Sequence, residues 1–261
     1  MNKIFIIVFS LFLIGCTNKR KESFMNLFYE TEWNQMNEKE KNYRQFFNSI
    51  VRYEWEMDNV KKFLEEGFDP NYCKGECYWY DSNPLLCVAN SSYSVYPRKK
   101  INEIIPDPTP DVVLLDLLLK YDADIYRYPY VWIIVGAHYF PQGKNESDEE
   151  YLSYINDKNR LLKAFLERGA DANAKANPEN FIFNRENASL SYEEFCNQCK
   201  SDEATTPLYE AIKKGSMWES QVDLLLQYGA ILDDSCIKAA ELSGDEKMIL
   251  KIQELMKSKS R

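Results

Sequence analysis

Residues 161–175 read LLKAFLERGADANAK. Leu162, Phe165 and Leu166 fall at helical spacing and give one apolar stripe. Gly169 follows it where a left-handed residue closes a helix without a Cβ penalty. Ala170 and Asp171 then suit a turn leading away. The phrase recurs with variations three more times, as NVKKFLEEGFDPN at 59–71, LLDLLLKYDADIY at 114–126 and QVDLLLQYGAILD at 221–233. The matching stripes are Val60, Phe63 and Leu64; Leu115, Leu118 and Leu119; and Val222, Leu225 and Leu226. Gly67 and Gly229 take the place of Gly169, and Asp122 stands there in the remaining copy. A short polar side chain also visits that conformation.

The helix ends are spaced by 55 (122 minus 67), 47 (169 minus 122) and 60 (229 minus 169) residues, so no single period fits. The other half of the unit shows why. TTPLYEAIKKG at 205–215 and SNPLLCVAN at 82–90 each place a polar residue and Pro ahead of a short apolar helix, where Pro costs no needed hydrogen bond. The run Thr206-Pro207-Leu208-Tyr209-Glu210-Ala211, followed by Gly229-Ala230, resembles the ankyrin repeat, and Gly169-Ala170-Asp171-Ala172-Asn173 matches that family's closing element. The resemblance implies units of about 33 residues, so the excess is insertion. Three insertions are placed at SSYSVYPRKKINEIIPDPTP, FPQGKNESDEEYLS and NPENFIFNRENASLSYEEFCNQCKSDEA.

The expected architecture is therefore all-α, an ankyrin-type helical solenoid of about five helix-turn-helix repeats with long irregular insertions. A degenerate first unit covers about 38–67, and units two to four end near 121, 168 and 228. The closing SCIKAAELSGDEKMILKIQELMKSKSR makes a charged last pair that suits a polar cap.

The start, MNKIFIIVFSLFLIGCTNKR, carries a different message. Lys3 gives a positive beginning and Ile4 to Ile14 an apolar run broken only by Ser10. That is too short to span a bilayer comfortably and fits a secretory signal. Leu13-Ile14-Gly15-Cys16 resembles the lipobox of bacterial lipoproteins, in which the Cys is lipidated and becomes the first mature residue. The resemblance implies a signal peptide at 1–15, a lipidated tether at 16–37 and a repeat domain at 38–261. Several acyl chains, at about 0.8 kcal/mol per buried methylene, hold such a protein durably. Thr17 lacks the acidic character that favours inner-membrane retention in similar lipoproteins. The expectation is a lipid anchor in the bacterial cell envelope, at the outer membrane and facing the periplasm.

The chain carries net charge -9, and loss of Lys3 with the signal brings the mature part to -10 (-9 minus 1). Non-specific nucleic-acid binding is disfavoured, because phosphate attraction needs a positive surface. A basic protein partner is compatible.

Seven Cys are present. With Cys16 assigned to lipid, the pairs Cys73/Cys77 and Cys196/Cys199 leave three readings open: a four-thiolate zinc site, local disulfides in an oxidising envelope, or unpaired thiols. Two stacked repeats would separate the pairs, which weighs against zinc. Cys87 and Cys236 fall on first helices of their units, as small core residues. The single His138 ends VWIIVGAH with no Ser or Cys motif beside it, and Asp148-Glu149-Glu150 falls in an insertion as solvated charge. Phosphate-loop, GxSxG and HExxH patterns are missing. No catalytic activity and no cofactor are expected.

Function must then be argued from surface. Solenoids bind along an extended concave face made of hairpin tips and first helices. On it this chain would place Tyr72, Tyr78, Trp79 and Tyr80, then Tyr126, Arg127, Tyr128 and Tyr130, then Tyr209 and Trp218. Tyr, Trp and Arg most often carry interface energy, although each also suits hairpin packing. The leading expectation is an envelope-anchored scaffold binding an unidentified protein. An immunity-type lipoprotein that neutralises a toxin is a specific form of it. A Cys-based metal-binding protein or metalloenzyme is the alternative from another class.

Overall fold

A computed structural model describes residues 38–51, 53–72, 83–89, 109–136, 148–177 and 200–259. The chain divides into two compact units, Met1–Phe46 and Phe47–Arg261. Of the first, the described part is the beginning of helix α1 (Glu38–Val51), where Lys41 pairs with Glu38 at 3.3 Å.

The second unit continues with α2 (Tyr53–Glu65), α3 (Pro84–Ala89), α4 (Pro110–Lys120), α5 (Tyr130–Gly136), α6 (Asp148–Glu167), α7 (Pro207–Lys213), a 3₁₀ turn (Ser216–Trp218), α8 (Glu219–Gln227), α9 (Asp234–Ser243) and α10 (Glu246–Lys259). The protein is all-α. The single strand-like pairing among the described residues is an antiparallel bridge between Ala176 and Thr205.

These helices come in pairs, α3 with α4, α5 with α6, α7 with α8 and α9 with α10, the members of each pair packing together. Between pairs, like packs on like. The leading helices α3, α5, α7 and α9 touch in that order, as do the trailing helices α2, α4, α6 and α8. The short leading helices α3, α5 and α7 are buried on nearly every side, which is why α5 reads YVWIIVG without alternation, whereas α9 keeps an exposed face that carries Leu242. Trailing helices are amphipathic. Of the stripes read from the sequence, Val60, Leu64, Leu115, Leu118, Leu162, Phe165, Leu166, Val222 and Leu225 are buried, while Phe63, Leu119 and Leu226 at their edges are half-buried.

The four repeated phrases end alike. Gly67, Asp122, Gly169 and Gly229 have φ of 89°, 67°, 90° and 86°. At each end, two backbone hydrogen bonds close the helix in the same register, for example Gly169 N to Leu166 O at 3.0 Å and Ala170 N to Phe165 O at 3.1 Å. The equivalent bonds run from Gly67 and Phe68, from Asp122 and Ala123, and from Gly229 and Ala230. This is the two-bond Schellman closure, which satisfies carbonyls a helix end leaves open. Asp122 is the one non-Gly residue with positive φ among the described residues.

The Pro-led starts behave as their composition requires. Thr206 accepts a bond from Tyr209 N at 3.2 Å, with Pro207 opening α7. The Asn83 side chain accepts from Leu85 N and Leu86 N at 2.9 and 3.2 Å ahead of α3. Such caps contribute about 1 kcal/mol each.

Two expectations are corrected. The stretch Asp148 to Ser153, expected in an insertion, forms the first turns of α6. The reason is Tyr151, which with Ile155 packs on Trp218 and extends the apolar stripe of α6 backwards. Cys236 is buried as expected, but Cys87 is only half-buried. Among the described residues, no helix is long and apolar enough to cross a membrane.

Candidate functional site

Of the three junctions between the turns after α2, α4, α6 and α8, the first and the third are bridged by asparagine side chains. Asn71 donates from Nδ2 to the Asp122 carbonyl at 2.8 Å and accepts on Oδ1 from Asp124 N at 2.6 Å. Asn173 repeats the arrangement two junctions further on, donating to the Gly229 carbonyl at 3.1 Å and accepting from Ile231 N at 2.8 Å. Each is held in place by the Asp two residues before it, whose Oδ1 accepts its backbone N–H at 2.8 Å. Arg127 reinforces the first junction by donating to the Asn71 carbonyl at 2.8 Å. The turns form a ridge on which Asp69, Asp122, Asp124, Asp171 and Asp233 are all exposed. Their side chains bear negative charge along it.

The expected aromatic row is split by the structure. Tyr126 stands out from the ridge, 72 % exposed. Tyr72 and Tyr209 are half-buried, the Tyr72 ring lying 6.4 Å from Phe47. Arg127 is half-buried, its guanidinium 5.9 Å from the Tyr128 ring. Tyr128, Tyr130 and Trp218 correct the expectation of a surface role, for they are 5 %, 1 % and 1 % exposed. The Tyr130 hydroxyl donates to Asn83 Oδ1 at 3.3 Å and its ring lies 5.7 Å from Phe165, so it packs one leading helix on the previous cap. Trp218 takes Tyr151 and Tyr154 edge-on at 6.2 and 6.1 Å. Sequence could not separate the cases, because a Tyr at a turn tip and one at the next helix start differ only in which way the backbone points them.

Tyr78, Trp79, Tyr80, Cys73, Cys77, Cys196, Cys199, Cys16 and His138 lie outside the described residues. Among the described residues, no group of three or more His, Cys, Asp or Glu could hold a metal ion.

Beneath the ridge lies a polar cluster that the sequence did not announce. Thr205, paired with Ala176 at the base of the insertion, receives the Trp132 indole N–H at 3.0 Å and donates to Glu210 at 2.8 Å. Lys158 on α6 is 1 % exposed and its ammonium makes no hydrogen bond among the described residues. Burial pushes it down to about 8, against the attraction of Asp111. Lys214, at the end of α7, donates to the Val135 carbonyl and sits 4.1 Å over the Trp218 ring. Burial of its ammonium pushes it down to about 7, helped by the like charge of Lys158 and opposed by Glu210. The carbonyl and the ring both favour the charged form and work against that fall. As a residue Lys214 is half-exposed.

A second unannounced group is Asp245, which accepts from Ser216 N and Oγ at 2.8 and 2.6 Å and from Met248 N at 3.1 Å. One carboxylate thereby fixes the 3₁₀ turn and caps α10. The Ser216 bonds, followed by that of Met248, hold it down at about 2.

The fold and the ridge define a class, an all-α protein of helix pairs packed like on like, with asparagine side chains bridging two of the three turn-to-turn junctions. Comparison with protein-family models, with characterised proteins and with solved structures found no match to the chain.

Proposed function

We propose that the chain is an ankyrin-type solenoid that binds another protein along its turn ridge while tethered to the bacterial envelope by a lipid on Cys16. The observation that carries the solenoid reading is the recurrence of one helix closure four times, with Asn71 and Asn173 bridging successive turns in the same register. A strictly local motif would not align its carboxamide with the next copy twice.

The binding reading rests on what the ridge displays. Exposed carboxylates of Asp69, Asp122, Asp124, Asp171 and Asp233 flank an exposed Tyr126. Charge of one sign steers an opposite partner and sets specificity, and an exposed Tyr supplies contact area at small entropic cost. The partner chemistry that fits is a basic protein surface. No group on the ridge is arranged as nucleophile and base, so no catalytic role or cofactor is assigned. The lipobox supports lipidation, and the non-acidic Thr17 that follows it supports an outer-membrane, periplasm-facing position.

The test is site-specific photo-crosslinking in cells. A crosslinking side chain at Tyr126 or Ile231 should trap one discrete partner, whereas one at exposed Leu242 on α9, away from the ridge, should not. Equal trapping at all three sites would remove the ridge from the reading. For the anchor, Cys16→Ser should abolish fatty-acid labelling and release the chain from membranes; labelling that persists would refute lipidation at that residue.

A further inference from the structure

Three turns are followed by another turn, and each places an equivalent residue at its tip: Asn71, Tyr126 and Asn173. All three are set by the same local bond, from their backbone N–H to the Oδ1 of Asp69, Asp124 or Asp171, at 2.8 Å in each case. The backbone they face on the next turn is equivalent too. It consists of the carbonyl of the left-handed residue and the N–H two residues later, which are Asp122 and Asp124, Gly169 and Asp171, and Gly229 and Ile231.

At the first and third junctions a carboxamide spans this pair, its NH₂ on the carbonyl and its oxygen on the N–H. At the second junction no carboxamide is present. Tyr126 has no such group, and its hydroxyl instead reaches across to Gly169, 3.1 Å from where a Cβ on that glycine would stand. The Gly169 carbonyl and the Asp171 N–H make no hydrogen bond among the described residues, and both residues are exposed.

We propose that the Gly169 carbonyl and the Asp171 N–H, walled on one side by Tyr126, form a recognition notch for the primary carboxamide of an Asn or Gln side chain on a protein partner. The inference rests on the protein-binding reading above and names the group that the ridge selects. The chain itself shows the matching chemistry twice. A carboxylate has no donor for the Gly169 carbonyl, and Asp124 and Asp171 repel it. An ammonium has no acceptor for the Asp171 N–H. A carboxamide offers both at the right separation, since the two atoms of Asn71 reach the equivalent groups at 2.8 and 2.6 Å. The Tyr126 ring, 72 % exposed, adds a flat face against which an amide plane can lie.

The notch is tested by NMR titration of the ¹⁵N-labelled full chain with three blocked amino acids, the N-acetyl N-methylamides of asparagine, aspartate and leucine. The asparagine compound should shift the Asp171 amide in a saturable way, with apparent affinity at least about tenfold above the other two, the equivalent of one neutral hydrogen bond. Tyr126→Asn should abolish the shift, because the chain's own carboxamide then fills the notch, and should raise Tm. Tyr126→Ala removes the wall and leaves the notch open, so the shift should persist, weakened. Equal shifts with all three compounds, no shift at Asp171, or a shift that survives Tyr126→Asn would each overturn the proposal. The crosslinking experiment separates this from the broader reading. A trapped partner without an Asp171 response removes the notch and leaves the scaffold, and an Asp171 response without a trapped partner does the reverse.

Discussion

The Asn173 carboxamide donates to the Gly229 carbonyl at 3.1 Å, across 56 residues of sequence, while the same side chain accepts from Ile231 N at 2.8 Å. One side chain thereby satisfies two backbone groups of the next turn. Asn173→Ala should remove both bonds and cost about 1–2 kcal/mol, modest because the site is exposed and water replaces part of the loss. Chemical denaturation would measure it. Faster amide exchange at Ile231 than in the parent protein would show that the loss is local to the junction.

The left-handed positions give a graded series. Gly169→Ala places a Cβ 3.1 Å from the Tyr126 hydroxyl at φ +90°, whereas a Cβ at Gly229, φ +86°, meets nothing within 4 Å. Both carry the left-handed penalty of about 1 kcal/mol. Gly169→Ala should lose more Tm than Gly229→Ala, and Tyr126→Ala should cancel the difference. In the opposite sense, Asp122→Gly should stabilise by up to about 1 kcal/mol, since Asp122 alone among the described residues bears that conformation with a side chain.

Thr205 links three elements through one hydroxyl, accepting from Trp132 and donating to Glu210. Thr205→Val keeps shape and removes both roles, and should cost about 1–3 kcal/mol because the groups it served are inside the protein. Thr205→Ser should recover most of it. Trp132 fluorescence during urea unfolding would report both.

Lys158 makes stability depend on alkaline pH. Its folded pKa, about 8, lies below the ordinary 10.5, so between those values the unfolded chain binds more protons and unfolding becomes harder as pH rises. Stability should therefore climb from about pH 7 to 10, and Lys158→Met should be more stable than the parent at pH 7 with a flatter profile. A parent profile that is flat or falling across this range would contradict the burial of that ammonium.

Asp245 acts at the other end of the scale. Its folded pKa of about 2 lies below the ordinary 3.8, so its contribution is present above pH 4 and disappears as pH falls through 2. Asp245→Asn should lower stability at neutral pH and remove that acid-side slope. Denaturation midpoints between pH 2 and 6 would show it.

Much of the fold was legible in the sequence because it rests on local rules. The closures at Gly67, Asp122, Gly169 and Gly229 follow from a stripe of apolar residues and the one residue type that tolerates positive φ, and all four occur where the pattern placed them. Thr206-Pro207 opens a helix because Pro at that point sacrifices no bond. The start of α6 was missed because its first turns look polar; Tyr151 and Ile155 become a stripe only once Trp218 is there to receive them. The site was less legible. Tyr126 was placed on the surface correctly, whereas Tyr128, Tyr130 and Trp218, of the same chemical types, went inside. Asn173 closes a repeat element that is plain in the sequence, yet its partners on the next turn lie 56 and 58 residues away and leave no trace in local pattern.

The sequence by itself determined the four left-handed helix closures and the Pro-led helix starts, since propensity, periodicity and left-handed closure act within a few residues. Only the tertiary structure decided which side chains meet between pairs: that Asn71 and Asn173 bridge their turns while, among the described residues, the Gly169 carbonyl and Asp171 N–H beside Tyr126 take no hydrogen bond and the enclosed Lys158 ammonium meets no acceptor. The physical reason is that hydrogen bonding and burial are properties of distance in space. Two residues more than fifty positions apart acquire them only when the intervening chain has folded.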